Sequence, residues 1–87
     1  MRIRRLARFK KSYQRLSAEI QKKVDRSLTL VFSNPRHPSL QVRKLESHSS
    51  IWYIRVDLNH RLIFEFDEED TLILRNVGSH DPTLAKP

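Results

Sequence analysis

The sequence predicts an α+β fold in which two N-terminal helices pack on a twisted, mainly antiparallel sheet of about four strands. Three observations carry that expectation. Apolar residues recur with helical period in the first third of the chain, they alternate with period two from Ile51 onward, and the segments between are rich in turn-forming residues. Residues 1–87 amount to one domain, and at that size folding buries only roughly 60–65% of the unfolded surface, so the core must be thin.

Arg2 to Ala7 can form a short first strand with Ile3 turned inward. Phe9, Tyr13 and Leu16 then recur at i, i+4 and i+7, which puts one apolar stripe on a short helix with lysines and arginines outside it. Ser17 breaks the pattern and is a good N-cap for a second helix. Glu19 lies near the positive end of that helix's dipole, and Ile20, Val24, Leu28 and Val31 form its buried stripe. "SNP" at Ser33 to Pro35 stops it, and the short linker suggests an antiparallel helix pair.

"NPRHPSLQ" must be a loop, Val42 to Leu45 a short strand, and "ESHSS" a polar turn. In Ile51 to Asp57 the residues Trp52, Ile54 and Val56 point one way, Tyr53 and Arg55 the other. Arg61 to Asp67 repeats this, with Leu62, Phe64 and Phe66 inward and Arg61, Ile63 and Glu65 outward. Leu72, Leu74 and Asn76 supply the matching face of a last strand from Thr71 to Val77. "DLNH" and "DEED" are the hairpin turns, with Asn59 the residue most tolerant of a left-handed conformation. Trp52, Phe64 and Phe66 read as core, and the opposite sheet face, carrying Tyr53, Arg55 and Arg61, is free to meet a ligand.

Seventeen Lys and Arg against ten Asp and Glu leave a net charge of +7, which favours a polyanionic partner. The bases crowd before Leu28 and the acids into Glu65 and Asp67 to Asp70, so a basic face and a separate acidic turn are expected. With no cysteine there is no disulfide, thiolate nucleophile or cysteine-based zinc site. No apolar run reaches the roughly 18–20 residues of a membrane span and "MRIRRLARFKK" lacks the apolar stretch of a signal peptide, so a cytoplasmic location is expected. The four histidines lack metal-motif spacing, there is no G-x-S-x-G elbow, and one glycine cannot build a phosphate-binding glycine loop.

Metal-free RNA cleavage survives this elimination. It needs a base for the 2′-hydroxyl proton, an acid for the 5′-oxygen leaving group, and cations for the charge developing on phosphate. Tyr53, Arg55, His60, Arg61 and His80 contain those parts, and Tyr53 can also stack on an unpaired base. Each has a plainer reading. His80 can cap a strand end, His60 can be a tolerated turn residue, His37 can order its loop, and His48 can be surface. Arg61 and Glu65 are about 13 Å apart along one strand, too far for a direct pair. Lys44 and His37 join Tyr53 as candidate substrate-binding residues. "HR" and "SH" fall at the start and end of neighbouring strands, which brings them to one side of the sheet.

The order "F-x-K-x-Y-x-x-L", a helix ending "NP", then "HPSL", "KL", "IWYIRV", "HRLIFEF" and "VGSHD" resembles the RelE/ParE superfamily of toxins from bacterial type II toxin–antitoxin modules. The resemblance covers nearly the whole chain. It implies a RelE-like α+β fold whose concave sheet face is the active site, and a toxin that cuts mRNA in the ribosomal A site with neither metal nor cofactor, alongside 16S rRNA. ParE-type members instead poison DNA gyrase, which is the alternative. By position Arg61 matches the family's phosphate-contacting arginine, Arg55 a basic residue of the preceding strand, and His80 a basic or acid/base residue after the last strand. His60 and His37 are reserves for the second proton transfer. An acidic antitoxin whose disordered segment folds across the basic groove is the expected partner. The tail "DPTLAKP" departs from members that end in an aromatic-bearing helix: it has no aromatic, and two prolines discourage a helix.

Overall fold

The computed structural model describes residues 2–34, 36–45, 50–85 and 87. His48, most of the polar turn around it and Pro35 of the helix stop lie outside them. The described chain runs β1 (Arg2–Arg5), α1 (Ala7–Arg15), α2 (Ala18–Ser33), a 3-10 turn (Pro38–Leu40), β2 (Arg43–Lys44), β3 (Trp52–Arg55), β4 (His60–Phe66), β5 (Thr71–Ser79) and α3 (His80–Ala85).

Both N-terminal helices form for the reasons their sequences give. Phe9 is the buried residue of α1, and its ring stacks on Tyr13 with centroids 5.9 Å apart. Leu16 falls just beyond the helix as its C-cap, yet still packs against the core. Ser17 caps α2, its hydroxyl accepting the Ile20 N–H at 3.3 Å, and Val24, Leu28 and Val31 are buried. The Tyr13 hydroxyl donates to Asp25 at 2.8 Å and Gln21 donates to the Tyr13 carbonyl at 2.8 Å, joining the two helices. That bond to Asp25 is the main reason the Tyr13 phenol titrates above its ordinary value.

The sheet has five strands in the order β1-β5-β4-β3-β2, rather than about four. Successive strands from β2 to β5 pair antiparallel, but β1 lies parallel to β5, with Ile3 opposite Leu72, so the sheet is mixed. A parallel partner requires a crossover, and α1 with the rest of the chain supplies it. The main core lies under α1 and α2 and includes Phe9, Val24, Ile54, Leu62, Phe64, Leu72, Leu74 and Val77.

Four expectations are corrected. Ile63, expected outward, is wholly buried in a second, smaller cluster with Leu45 and Ile51, against which Tyr53 and Leu84 pack. That cluster exists because the tail, expected to stay non-helical, forms α3 and folds over the opposite sheet face. Pro82 is the third residue of α3, where its missing N–H removes no intrahelical bond. Phe66, expected in the core, is 40% exposed and meets Phe64 edge-on, while Trp52 is only half-buried. Asn59 does not take the left-handed conformation; among the described non-glycine residues Gln41 and Asp70 do. The Asp57 carboxylate accepts the Asn59 and His60 N–H groups at 2.9 and 2.8 Å and closes the β3–β4 turn without one.

A register shift between Ile63 and Phe64 leaves Arg75 without a partner position on β4, as in a β-bulge. Asn76 is on the helix side, as its alternation with Leu72 and Leu74 predicts, and Ser12 of α1 donates to it there at 2.7 Å, while the shift lets Val77 also enter the main core. Arg75 turns the other way, to Glu65 at 2.8 Å and the Pro87 carbonyl at 3.2 Å. Glu65 therefore has its own cation, consistent with its distance from Arg61.

Candidate active site

Period-two alternation assigns the polar residues of β2 to β4 to two faces. Ile54 and Leu62 belong to the main core, so Tyr53, Arg55 and Arg61 lie on the opposite face, next to the cluster of Leu45, Ile51 and Ile63. Arg55 and Arg61 are direct cross-strand partners. Val56 donates to the His60 carbonyl at 3.0 Å, which makes 56–60 the hydrogen-bonded pair and 55–61 the non-hydrogen-bonded one. In such a pair Cβ atoms stand about 4.5–5.5 Å apart. Two guanidinium stems are thus rooted side by side, and among the described residues neither makes an ion pair.

Arg61 is partly committed. Its Nη1 donates to the Asp57 carbonyl at 2.8 Å, the His60 carbonyl at 2.9 Å and, longer, the Leu58 carbonyl at 3.5 Å, so the side chain braces the turn that carries it. The Nε–Nη2 edge has no acceptor among the described residues, and that edge is the fork that grips a phosphate through two parallel bonds.

The pairing of β4 and β5 places Arg61 opposite Gly78 and His60 opposite Ser79, and the His80 N–H extends the ladder to the Asn59 carbonyl at 2.8 Å. "HR" and "SH" therefore do meet at one end of the sheet. His80 is the first residue of α3, and that backbone bond is the strand-end cap of its plainer reading; its Nδ1 lies 2.7 Å from Asp81 Oδ1, and its side chain is 46% exposed. Gly78 explains why α3 can start there. A Cβ at that position would stand 2.6 Å from Thr83 Oγ1, so the close approach of that side chain, not an unusual backbone angle, favours glycine there.

His60 is separated from this arginine pair. Its Nδ1 lies 2.9 Å from Asp57 Oδ1, and Lys23 of α2 reaches Asp57 Oδ2 at 3.3 Å, which puts the imidazole on the helix side of the sheet. Burial pushes the Asp57 carboxyl up, but the hydrogen bonds from His60, the Asn59 N–H and Lys23 outweigh it and hold the group at about 2. The neighbour order "HR" concealed this, because consecutive strand residues point to opposite faces.

The remaining candidates also divide. Tyr53 is half-buried against the small cluster. His37 Nδ1 accepts the Ser39 N–H at 3.1 Å and lies 2.7 Å from its hydroxyl, so it orders the 3-10 turn as its plainer reading holds. Lys44 sits 5.6 Å over the Trp52 ring and hence on the other side of the strand from Tyr53. Arg43, opposite Tyr53 and on its face, is the residue that sequence reasoning missed. The signal was Leu45, two residues on: its pairing with Ile51 fixes the face of β2, but only once the register is known. Among the described residues no three histidine or carboxylate side chains converge to hold a metal ion, and no helix is long and apolar enough to cross a membrane.

No protein-family model matches the chain, and no curated protein matches it significantly. Solved structures do. YafQ from E. coli superposes with a TM-score of 0.78 at 18% identity, over 94% of this chain and 97% of that one. The YoeB/ParE toxin from Agrobacterium tumefaciens gives 0.77 at 16%, over 92% and 99%. The intact E. coli RelBE toxin–antitoxin complex gives 0.72 at 18%, over 92% and 96%. The chain has the fold of the RelE, YoeB and YafQ toxins.

Proposed function

We propose that this protein is the toxin of a type II toxin–antitoxin module and that it cleaves mRNA on the ribosome without a metal ion. The observation that carries the reading is the Arg55–Arg61 pair on a RelE fold, with His80 at the same end of the sheet. Two unneutralised cations at adjacent positions of one sheet face are costly to the fold and suit a phosphate whose negative charge grows during reaction.

In this scheme the free Nε–Nη2 edge of Arg61 holds the non-bridging oxygens of the scissile phosphate, and Arg55 adds charge as the phosphorane develops. A base removes the 2′-hydroxyl proton, the 2′-oxygen attacks phosphorus, and the P–O5′ bond breaks as an acid protonates the leaving oxygen. The carboxylate of Asp81 favours a proton on His80 Nδ1, which leaves Nε2 to accept one, so His80 is assigned as the base. Tyr53 and Arg43 flank the pair and offer a stacking surface and a further phosphate contact, as exposed single-stranded RNA requires.

The partner of this reading is an antitoxin, as the toxin of the RelBE complex that shares the fold has one; an acidic one would neutralise a chain of charge +7. The test is to add purified protein to ribosomes programmed with a defined mRNA and map the 5′ ends produced, with a gyrase supercoiling assay in parallel. Cuts in the A-site codon that disappear in Arg61→Ala support the reading. Intact mRNA together with inhibited gyrase would replace it with the ParE-type activity.

A further inference from the structure

On the helix side of β3 a second cationic feature adjoins the arginine pair. A pocket of about 230 Å³ opens between α2, the 3-10 turn and the end of β3, and its walls include Lys23, Arg26, Ser27, Ser39, Arg55 and Asp57. Lys23 and Arg26 of α2 border one carboxylate there, and Arg55 adjoins them at the end of β3. That carboxylate is already saturated, with Oδ1 taken by the Asn59 and His60 N–H groups and His60 Nδ1, and Oδ2 by Lys23. A positive surplus therefore remains, and among the described residues Arg26 and Arg55 make no ion pair with which to cancel it.

Ser27 supplies the independent observation. It is 7% exposed, yet its hydroxyl makes no hydrogen bond among the described residues, whereas Thr29 and Ser33 on the same helix turn theirs back onto backbone carbonyls. No described buried side-chain oxygen is both sealed from solvent and unpaired, so the Ser27 hydroxyl keeps its residual access, and the pocket is the space that Ser27 lines. A buried hydroxyl beside a guanidinium and an ammonium is a donor set for a tetrahedral oxyanion.

We infer that this pocket is a phosphate subsite, occupied by a phosphodiester of the RNA backbone next to the one held by Arg55 and Arg61. This rests on the ribonuclease reading above and adds to it a direction: the RNA strand passes from the sheet face, past Arg55, toward α2. Arg55 contributes to both features, as cross-strand partner of Arg61 and as part of the pocket wall. An acidic peptide could use the same cations, but the hydroxyl and the shared Arg55 favour phosphate.

The test is binding of a 2′-O-methyl RNA oligonucleotide, which cannot be cleaved, as a function of salt concentration. Arg26→Ala is expected to weaken binding about tenfold and to reduce the magnitude of the salt slope by about 0.7, the increment of one phosphate contact to a single strand. Ser27→Ala should weaken binding at every salt concentration without changing the slope, since no charge is lost. Lys22→Ala, on the same helix but absent from the pocket wall, is the charge-matched control and should bind within twofold of wild type. If Arg26→Ala and Ser27→Ala bind like Lys22→Ala while Arg61→Ala does not bind, the pocket inference falls and the ribonuclease reading stands. Absence of wild-type binding both to the free oligonucleotide and to ribosomes carrying it in the A site would instead remove the reading on which it rests. Should Arg26→Ala weaken capture of a polyglutamate peptide but not of the oligonucleotide, the pocket's ligand is a carboxylate and the inference is overturned.

Discussion

Arg55 and Arg61 stand directly opposite one another on β3 and β4, two like charges at a non-hydrogen-bonded position with no carboxylate paired to either among the described residues. Like charges so placed oppose folding by roughly 0.2–1 kcal/mol. Arg55→Ala is therefore expected to leave thermal stability unchanged or slightly raised while lowering mRNA cleavage roughly 10²-fold, the usual scale for losing one charge-stabilising donor. Calorimetry and a cleavage assay on the same preparation check both halves.

Arg61 behaves differently because it also braces the β3–β4 turn through three carbonyls. Arg61→Ala should lose activity and also about 1–2 kcal/mol of stability. Arg61→Lys restores the charge but not the fork, so it should recover less than a tenth of the activity. Urea unfolding alongside the cleavage assay separates the two contributions.

His80 carries its proposed role on an exposed helix start, where substitution costs the fold little. His80→Ala should reduce cleavage roughly 10²- to 10⁴-fold, the range for a general base, with unfolding midpoints unchanged. Asp81→Asn should cost less than tenfold, because its pair with His80 is screened by solvent; its side chain is 95% exposed. Single-turnover cleavage rates on programmed ribosomes measure both.

The Asp57 carboxyl is held at about 2 against an ordinary 3.8. A group depressed by folding stabilises the native state when it is ionised, so this contribution is complete above about pH 4 and is lost as the pH falls toward 2. On the order of 1–2 kcal/mol is at stake once solvent screening is allowed for. Asp57→Asn should flatten the stability profile between pH 4 and pH 2 relative to wild type, as read by chemical unfolding at a series of pH values.

Gly78 and Thr83 give a steric prediction. A methyl group 2.6 Å from Thr83 Oγ1 forces the Thr83 side chain or α3 to shift, so Gly78→Ala should cost roughly 1–3 kcal/mol. Gly78→Ala combined with Thr83→Ala should recover most of it, and a double-mutant cycle by thermal unfolding would show the coupling.

What the sequence disclosed and what it hid divide along physical lines. The stripe of Val24, Leu28 and Val31, the Ser17 cap and the alternation through Ile54, Leu62 and Phe64 are local patterns, and each is present where its spacing places it. The position of β1 beside β5 depends on a partner 69 residues away, and no local pattern encodes that. Helix α3 was hidden by two prolines, although Pro82 falls in the first turn, where it is harmless. Its formation in turn decides that Ile63 is buried. Within the site, the Arg55–Arg61 pair was legible because a short hairpin fixes its own register. His60 was read with Arg61 from adjacency in the chain, and only the Asp57 and Lys23 contacts reveal that it serves the other face.

The strand order also sets a schedule for synthesis. Of the five described strands Thr71–Ser79 is made last, and it is the strand that both β1 and β4 flank. While a ribosome is still translating the preceding residues, β1 has no strand to pair with and β4 has only β3, so the sheet that carries Arg55 and Arg61 is incomplete. Under the proposed activity, the chain cannot assemble its weapon against the ribosome that is making it until Ser79 has been added.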